Sequence, residues 1–270
     1  MSSPVALHGG GEFLTGDEPF LAALLELAAA RARSGRSLRV AIVPTAAARG
    51  RPDLTAAYGV AAFERVAEGA GLAVEAGAVA VVDAASAADP DLADRLAGAD
   101  IIHLPGGDPD LIPTLLPGSR AWAAMCAAHE AGAILAGASA GAMALAAWCW
   151  TPTGGVPGLG VVGGLLVVPH ADEPRWSDAL ERFGGWAPGG LGAIGLGEQT
   201  GAITAAVGGG PAGEADTRRV IRWHIVGPGE VRWLSAPGAR TVVARAGETI
   251  LTGSPGPHGT DPTGRAGHTG

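Results

Sequence analysis

Short apolar runs alternate along the chain with amphipathic segments, the rhythm of strands and helices built into a parallel α/β sheet. Residues 4–7 form the first apolar run and lead into His8-Gly9-Gly10-Gly11-Glu12. Asp17, Glu18 and Pro19 open a helix whose apolar positions include Leu21, Leu24, Leu25 and Leu27, and Gly35 stops it. The same logic predicts a strand over 38–43, a helix from Asp53 to Gly71, a strand over 74–82 and a short helix from Asp89-Pro90 to Gly98. A strand over 101–104 stops at Pro105-Gly106-Gly107, Ser119 caps a helix to about Ala131, and 133–136 is the next strand. Strands this uniformly apolar belong to a sheet covered on both faces. The expected fold is α/β, three-layered, with a mostly parallel sheet between helices.

Beyond Gly190 the pattern shifts. Residues 193–196 and 202–207 read as strands with no room for a helix between them. Residues 220–226 and 230–234 flank Gly227-Pro228-Gly229 and read as a hairpin, and 241–245 as a further strand. The C-terminal third is expected to extend the same sheet in antiparallel fashion. One domain over 1–250 follows, with 251–270, rich in Gly, Pro, Thr and His, as a disordered tail.

Composition narrows the class. Hydrophobic residues at 47% and charged residues at 16% exclude a disordered chain or a coiled coil. The net charge is -8, every one of the 18 basic residues is arginine, and no basic cluster appears, which argues against nucleic acid as a partner. Residues 131–171 carry no charged side chain, yet glycine and proline interrupt them far short of the roughly 20 apolar residues of a membrane span. They read instead as a buried strand, a turn and a buried helix. The N-terminal stretch lacks a basic segment followed by a long apolar one, so no signal peptide is expected. With only two cysteines, a reduced, soluble, cytoplasmic protein is the expectation.

The sharpest chemical feature is Gly137-Ala138-Ser139-Ala140-Gly141-Ala142, between the strand at 133–136 and a helix-forming run at 142–147. This is the G-x-S-x-G pattern in the strand–turn–helix setting of a nucleophile elbow, where small neighbours let the turn be sharp. The amide of Ala140 would then help bind an oxyanion, and Gly107, at the preceding strand's end, is the candidate for the second donor. Gly10 and Gly11 are expected to border the site beside substrate, as is Asp108. The run His8–Glu12 lacks the lysine of a phosphate loop. Among seven histidines, His170 follows an apolar run and a proline, the strand-edge position of a general base, while His8 beside its glycines stays open. No metal motif or cofactor motif is present in the sequence.

The set Gly106-Gly107-Asp108, Gly137 to Ala142, Pro169-His170 and Ile194-Gly195-Leu196-Gly197-Glu198 resembles the serine peptidase family of peptidase E and cyanophycinase. The resemblance spans residues 4 to about 207. It implies a class I glutamine amidotransferase-like fold and a Ser-His-Glu triad: Ser139 as nucleophile, His170 as base, Glu198 as orienting acid. The amides of Gly107 and Ala140 would form the oxyanion hole. Asp172, two residues after His170, competes for the acid's place, but the apolar run before Glu198 favours the latter by keeping its carboxylate partly desolvated. The aspartate preference of the peptidase E branch makes Arg175 and Arg182 candidates to read an acidic substrate. Pro109 and the segment 171–176 depart from the cyanophycinase pattern. The expected function is a serine peptidase cutting a small peptide or isopeptide without a cofactor. A non-catalytic amidotransferase-like scaffold and an esterase or acyltransferase remain as alternatives, and homodimer and monomer are both open.

Overall fold

The computed structural model describes residues 3–32, 35–204 and 220–253. The first half of the chain alternates strands and helices as its pattern predicts, except that the strand expected over 74–82 ends at Ala78 and two five-residue helices, at 84–88 and 111–115, add to the expected elements. Strands β1 (Val5–His8), β2 (Leu38–Ile42), β3 (Val74–Ala78), β4 (Ile101–Leu104) and β5 (Ile134–Ala138) are separated by helices α1 (Glu18–Arg31), α2 (Pro52–Ala70), α3 (Ala84–Ala88), α4 (Pro90–Ala97), α5 (Leu111–Leu115) and α6 (Arg120–Glu130). Local chemistry sets several of these boundaries. The Ser119 hydroxyl accepts from the Trp122 N–H at the start of α6, Asp89 caps α4, and Gly71 closes α2 in the left-handed conformation.

The second half runs α7 (Ala140–Leu145), β6 (Ala146–Thr151), β7 (Gly154–Pro157), β8 (Val162–Val168), α8 (Arg175–Trp186) and β9 (Gly192–Leu196). It closes with β10 (Gly201–Thr204), β11 (Ile221–Val226), β12 (Glu230–Leu234), β13 (Val242–Arg245) and β14 (Thr249–Thr252). These strands complete two sheets. One has eight strands in the order β14-β11-β10-β1-β5-β4-β2-β3, and the other has six in the order β13-β12-β9-β8-β6-β7. In the larger sheet β1 to β5 are parallel, and β10, β11 and β14 extend it antiparallel.

Side-chain alternation sorts the layers. Ala6, Ile42, Ile101 and Ala136 bury against Phe20 and Leu24 of α1 and Phe63 of α2. On the opposite face Leu7, Ile102, Leu104 and Leu135 share one core with Leu96 of α4, Met125 of α6, and Leu165, Val167, Ile194 and Trp233 of the smaller sheet. The outer face of the smaller sheet, through Leu166, Val168 and Leu234, packs on Trp176 of α8.

The smaller sheet revises the sequence-based expectation in two places. The helix expected over 142–147 ends at Leu145, and the chain turns extended at Ala146 into a strand containing Trp148, Cys149 and Trp150; aromatic residues favour that pleated, half-buried setting. The hairpin expected across Gly227-Pro228-Gly229 does not form. β11 pairs with β10 and β14 and β12 pairs with β9 and β13, so this turn carries the chain from one sheet to the other. Both strands bury alternate residues, Trp223 and Ile225 on one and Val231 and Trp233 on the other, in the core between the sheets. Residues 251 and 252 belong to β14 rather than to a tail; 205–207 and 254–270 lie outside the described residues. Among the described residues no helix is long and apolar enough to cross a membrane.

Two outcomes follow from this packing. A Cβ at Gly141 would stand 1.9 Å from the Leu104 carbonyl oxygen, so Gly141→Ala is expected to destabilise by about 1–3 kcal/mol through forced backbone shifts, measured by denaturant unfolding. Burial pushes the Cys149 thiol up to about 12, with the Asp110 charge adding to it, and raises the Cys126 thiol as well. Since the thiolate is the reactive form, iodoacetamide at pH 7.5 should leave Cys149 unmodified in the folded protein and activity unchanged, checked by mass spectrometry of the intact chain.

Candidate active site

The turn from β5 into α7 is built by close approach. A Cβ on Gly137 would lie 2.5 Å from the Gly141 backbone, so the strand's end and the helix's first turn touch with no side chain between them. Ser139, at the bend, is held at φ 47° and ψ −111°, a conformation that costs an L-residue of order 1–3 kcal/mol. Its N–H donates to the His8 carbonyl at 2.9 Å, and its own carbonyl accepts from Met143 N–H. So fixed, its Oγ stands 3.0 Å from Nε2 of His170.

His170 comes from the other sheet, two residues past the end of β8. Its φ is also positive, 52°, and its N–H donates to the Gly9 carbonyl at 2.9 Å. The Nδ1 of the same ring lies 2.6 Å from Oε1 of Glu198, which follows β9. One hydroxyl, one imidazole and one carboxylate thus form a continuous chain. Glu198 keeps 49% of its side chain accessible and His170 30%, so the carboxylate is withdrawn from water only in part and stands more open than its apolar sequence neighbours suggest. The short contact between imidazole and carboxylate, rather than burial, gives the pair its strength. Asp172 takes another place. Its Oδ2 accepts from the Glu198 N–H at 3.3 Å, so it braces the backbone beneath Glu198.

The glycine run after β1 packs against this pair. A Cβ on Gly10 would fall 2.1 Å from His170 Cε1, and one on Gly11 would fall 2.7 Å from Glu198 Oε2. Gly10 also accepts from the Gln199 N–H at 2.8 Å. Gly10 and Gly11, expected beside substrate, therefore back the imidazole and the carboxylate instead. Among the described residues the non-glycine positions with positive φ are Phe13, Ser139, His170 and Gln199, and all four belong to this cluster of loops.

Gly107 lies across from Ser139 with φ 148°, its α-carbon pressed so close to Ala46 that a Cβ would stand 2.2 Å from that carbonyl oxygen. The amides on either side are tied down: Gly106 N–H donates to Glu12 Oε1 and Asp108 N–H to Ala46 O, each at 2.7 Å. Among the described residues neither the Gly107 N–H nor the Ala140 N–H donates to a protein acceptor. Both residues, with Ser139, line a cavity of about 290 Å³. Glu12 is a part of the site that the sequence-based list of candidates omits; its position directly after three glycines was the available signal.

Apolar residues, Met143, Trp150, Val167 and Pro169 among them, wall most of that cavity, and Arg175, Asp178 and Arg182 of α8 border it. Neither arginine has an ion-pair partner among the described residues. Asp108 does not line the cavity; its carboxylate is 2.8 Å from Arg49, which also pairs with Asp110. His8 is wholly buried, with Nδ1 accepting from Gly10 N–H, so it does not contact the Ser139 hydroxyl. His103 is enclosed by Phe13 and Phe63, and burial, with His8 nearby, lowers it to about 3, which keeps it neutral. No group of three or more metal-ligating side chains occurs among the described residues.

Comparison with known proteins places this geometry in context. A peptidase from an acI-B1 actinobacterium has a similar structure, with a TM-score of 0.67 and 24% identity over 93% of this chain and 97% of its own. A putative peptidase E protein from Listeria monocytogenes EGD-e aligns with a TM-score of 0.52 and 14% identity, over 91% of this chain and 99% of its own. Both share the fold, and the mixed α/β arrangement is consistent with the class I glutamine amidotransferase-like fold that the sequence resemblance implied. No functionally curated protein matches the sequence. Residues 5–183, which include Ser139 and His170, match the sequence profile of peptidase family S51. The chain therefore belongs to peptidase family S51 and is a serine-type peptidase.

Proposed function

We propose that the protein hydrolyses an amide bond of a small peptide through Ser139, His170 and Glu198. The observation that carries this reading is the unbroken contact chain, 3.0 Å from Ser139 Oγ to His170 Nε2 and 2.6 Å from Nδ1 to Glu198 Oε1. Glu198 accepts from Nδ1–H and so leaves Nε2 as the basic nitrogen. As Ser139 Oγ bonds to the substrate carbonyl carbon, its proton passes to Nε2, and the carbonyl oxygen becomes an oxyanion held by the N–H groups of Gly107 and Ala140. The C–N bond then breaks, the leaving amine takes the proton from Nε2, and an acyl-enzyme remains on Ser139. Water, losing a proton to Nε2, repeats the addition, and collapse returns the proton to Ser139 and frees the acid.

The cavity's apolar walls suit the stem of a substrate side chain, and the guanidinium groups of Arg175 and Arg182, without an ion-pair partner among the described residues, suit a carboxylate at its end. This supports a short peptide with an N-terminal acidic residue as the substrate class. Two unpaired cysteines fit a reducing, cytoplasmic setting.

A panel of dipeptides varied at the N-terminal residue tests the chemistry. Ser139→Ala is expected to leave less than roughly a thousandth of the activity and to lose labelling by a fluorophosphonate probe. Glu198→Gln should reduce kcat on the best dipeptide by about a hundredfold or more, and Asp172→Asn by only a little. The reverse order would transfer the orienting role to Asp172. For specificity, Arg182→Ala is expected to raise KM roughly tenfold for an N-terminal aspartyl peptide while leaving a neutral one unchanged. Equal effects on both peptides would remove Arg182 from substrate recognition.

A further inference from the structure

His8 and Asp17 are the ionisable pair most deeply buried in the described structure, with side chains 0% and 1% exposed, and the proposed chemistry makes no use of them. His8 Nε2 stands 2.9 Å from Asp17 Oδ1, a close electrostatic contact without the alignment of a good hydrogen bond. Removing a carboxylate and an imidazole from water is costly, so the contacts this pair makes bear on why it is there.

What they hold is the loop between them. His8 ends β1, and its carbonyl oxygen accepts the N–H of Ser139. Its Nδ1 accepts the N–H of Gly10 at 3.3 Å, and Gly10 is the residue whose α-carbon rests on the His170 ring and whose carbonyl holds Gln199. Between the two, the Gly9 carbonyl accepts the His170 N–H. At the loop's far end Asp17 Oδ2 accepts the N–H of Phe13 at 2.8 Å, fixing that residue at φ 67°. A single buried pair therefore closes the loop from both ends, and the closed loop touches the nucleophile, the imidazole and, through Gly11, the carboxylate.

We infer that His8 and Asp17 are positioning residues that hold the glycine loop as a brace, setting the Ser139–His170–Glu198 geometry from behind. The inference rests on the triad reading above. It requires one tautomer: Nδ1 of His8 can accept from Gly10 only while bare, so the ring proton sits on Nε2, facing Asp17.

The experiment uses the full chain with His8→Leu, which removes both ring contacts, and His8→Asn, whose Oδ1 can take the place of Nδ1 as acceptor. Active sites are counted by fluorophosphonate titration, and kcat per titrated site, KM and the pH profile of kcat/KM are measured on the best dipeptide. Wild-type labelling that survives Ser139→Ala would sink the triad reading itself, independently of His8. With the triad intact, His8→Leu should lower kcat per titrated site at least tenfold and displace the acidic limb of the profile. KM should change less than threefold, and His8→Asn should recover most of the loss. A purely structural pair would give fewer titratable sites, with kcat per site and the pH profile unchanged; that result overturns the inference. Should His8→Leu fail to fold, nitrogen-15 histidine spectra of the wild-type protein at pH 7.5 decide: a bare Nδ1 on His8 is required, and a proton there overturns it.

Discussion

The backbone of residues 9–11 lies so close to the His170 ring and the Glu198 carboxylate that no side chain could separate them, and the rest of the site depends on this approach. A methyl group at Gly10 would overlap Cε1, and one at Gly11 would crowd Oε2. The same economy of space recurs at Gly137 and Gly141 beneath Ser139 and at Gly107 against Ala46. At each point glycine lets main chain meet main chain or ring, so polar groups are held by peptide bonds rather than by flexible side chains. The conformational entropy that ordering them would cost is lost with the fold, before substrate arrives.

Strain is concentrated in the same place. Phe13, Ser139, His170 and Gln199 all carry a positive φ, and each is fixed by a hydrogen bond from its own N–H: to Asp17, to His8, to Gly9 and to Gly10. The surrounding contacts hold these residues in conformations they would not adopt alone. The cores explain where that stabilisation originates. One packs the larger sheet on α1 and α2, and the other is shared by both sheets, so the loops between them are anchored on two sides.

Much of this was legible in the sequence, and the gaps have physical causes. The strands and the longer helices up to β5 declare themselves because apolar runs alternate with capped, amphipathic segments, whereas α3 and α5, five residues each, are too short to show a period; the sharp turn at Ser139 is written in its small neighbours. The region 131–171 is different. With no charged residue in it, neither period 2 nor period 3.6 stands out; the apolar run before Pro169 still reads as a strand, but β6 and β7 were hidden in what reads as a helix and a turn. Gly227-Pro228-Gly229 has the composition of a hairpin turn, but which sheet each flanking strand joins is settled by packing far away in the chain. Glu198 sits after an apolar strand, yet its carboxylate points to partly open solvent, which sequence neighbours do not encode. Glu12 acts through the amide of Gly106, 94 positions distant, a contact that only the folded topology brings together.

The origin of the three residues in the contact chain has one more consequence. Ser139 and the loop at Gly107 are carried by the eight-stranded sheet, whereas His170 and Glu198 follow strands of the six-stranded one. Neither sheet by itself carries all three residues. A chain with one sheet formed and the other undocked therefore lacks this contact chain, which exists only once the core shared by the two sheets has closed.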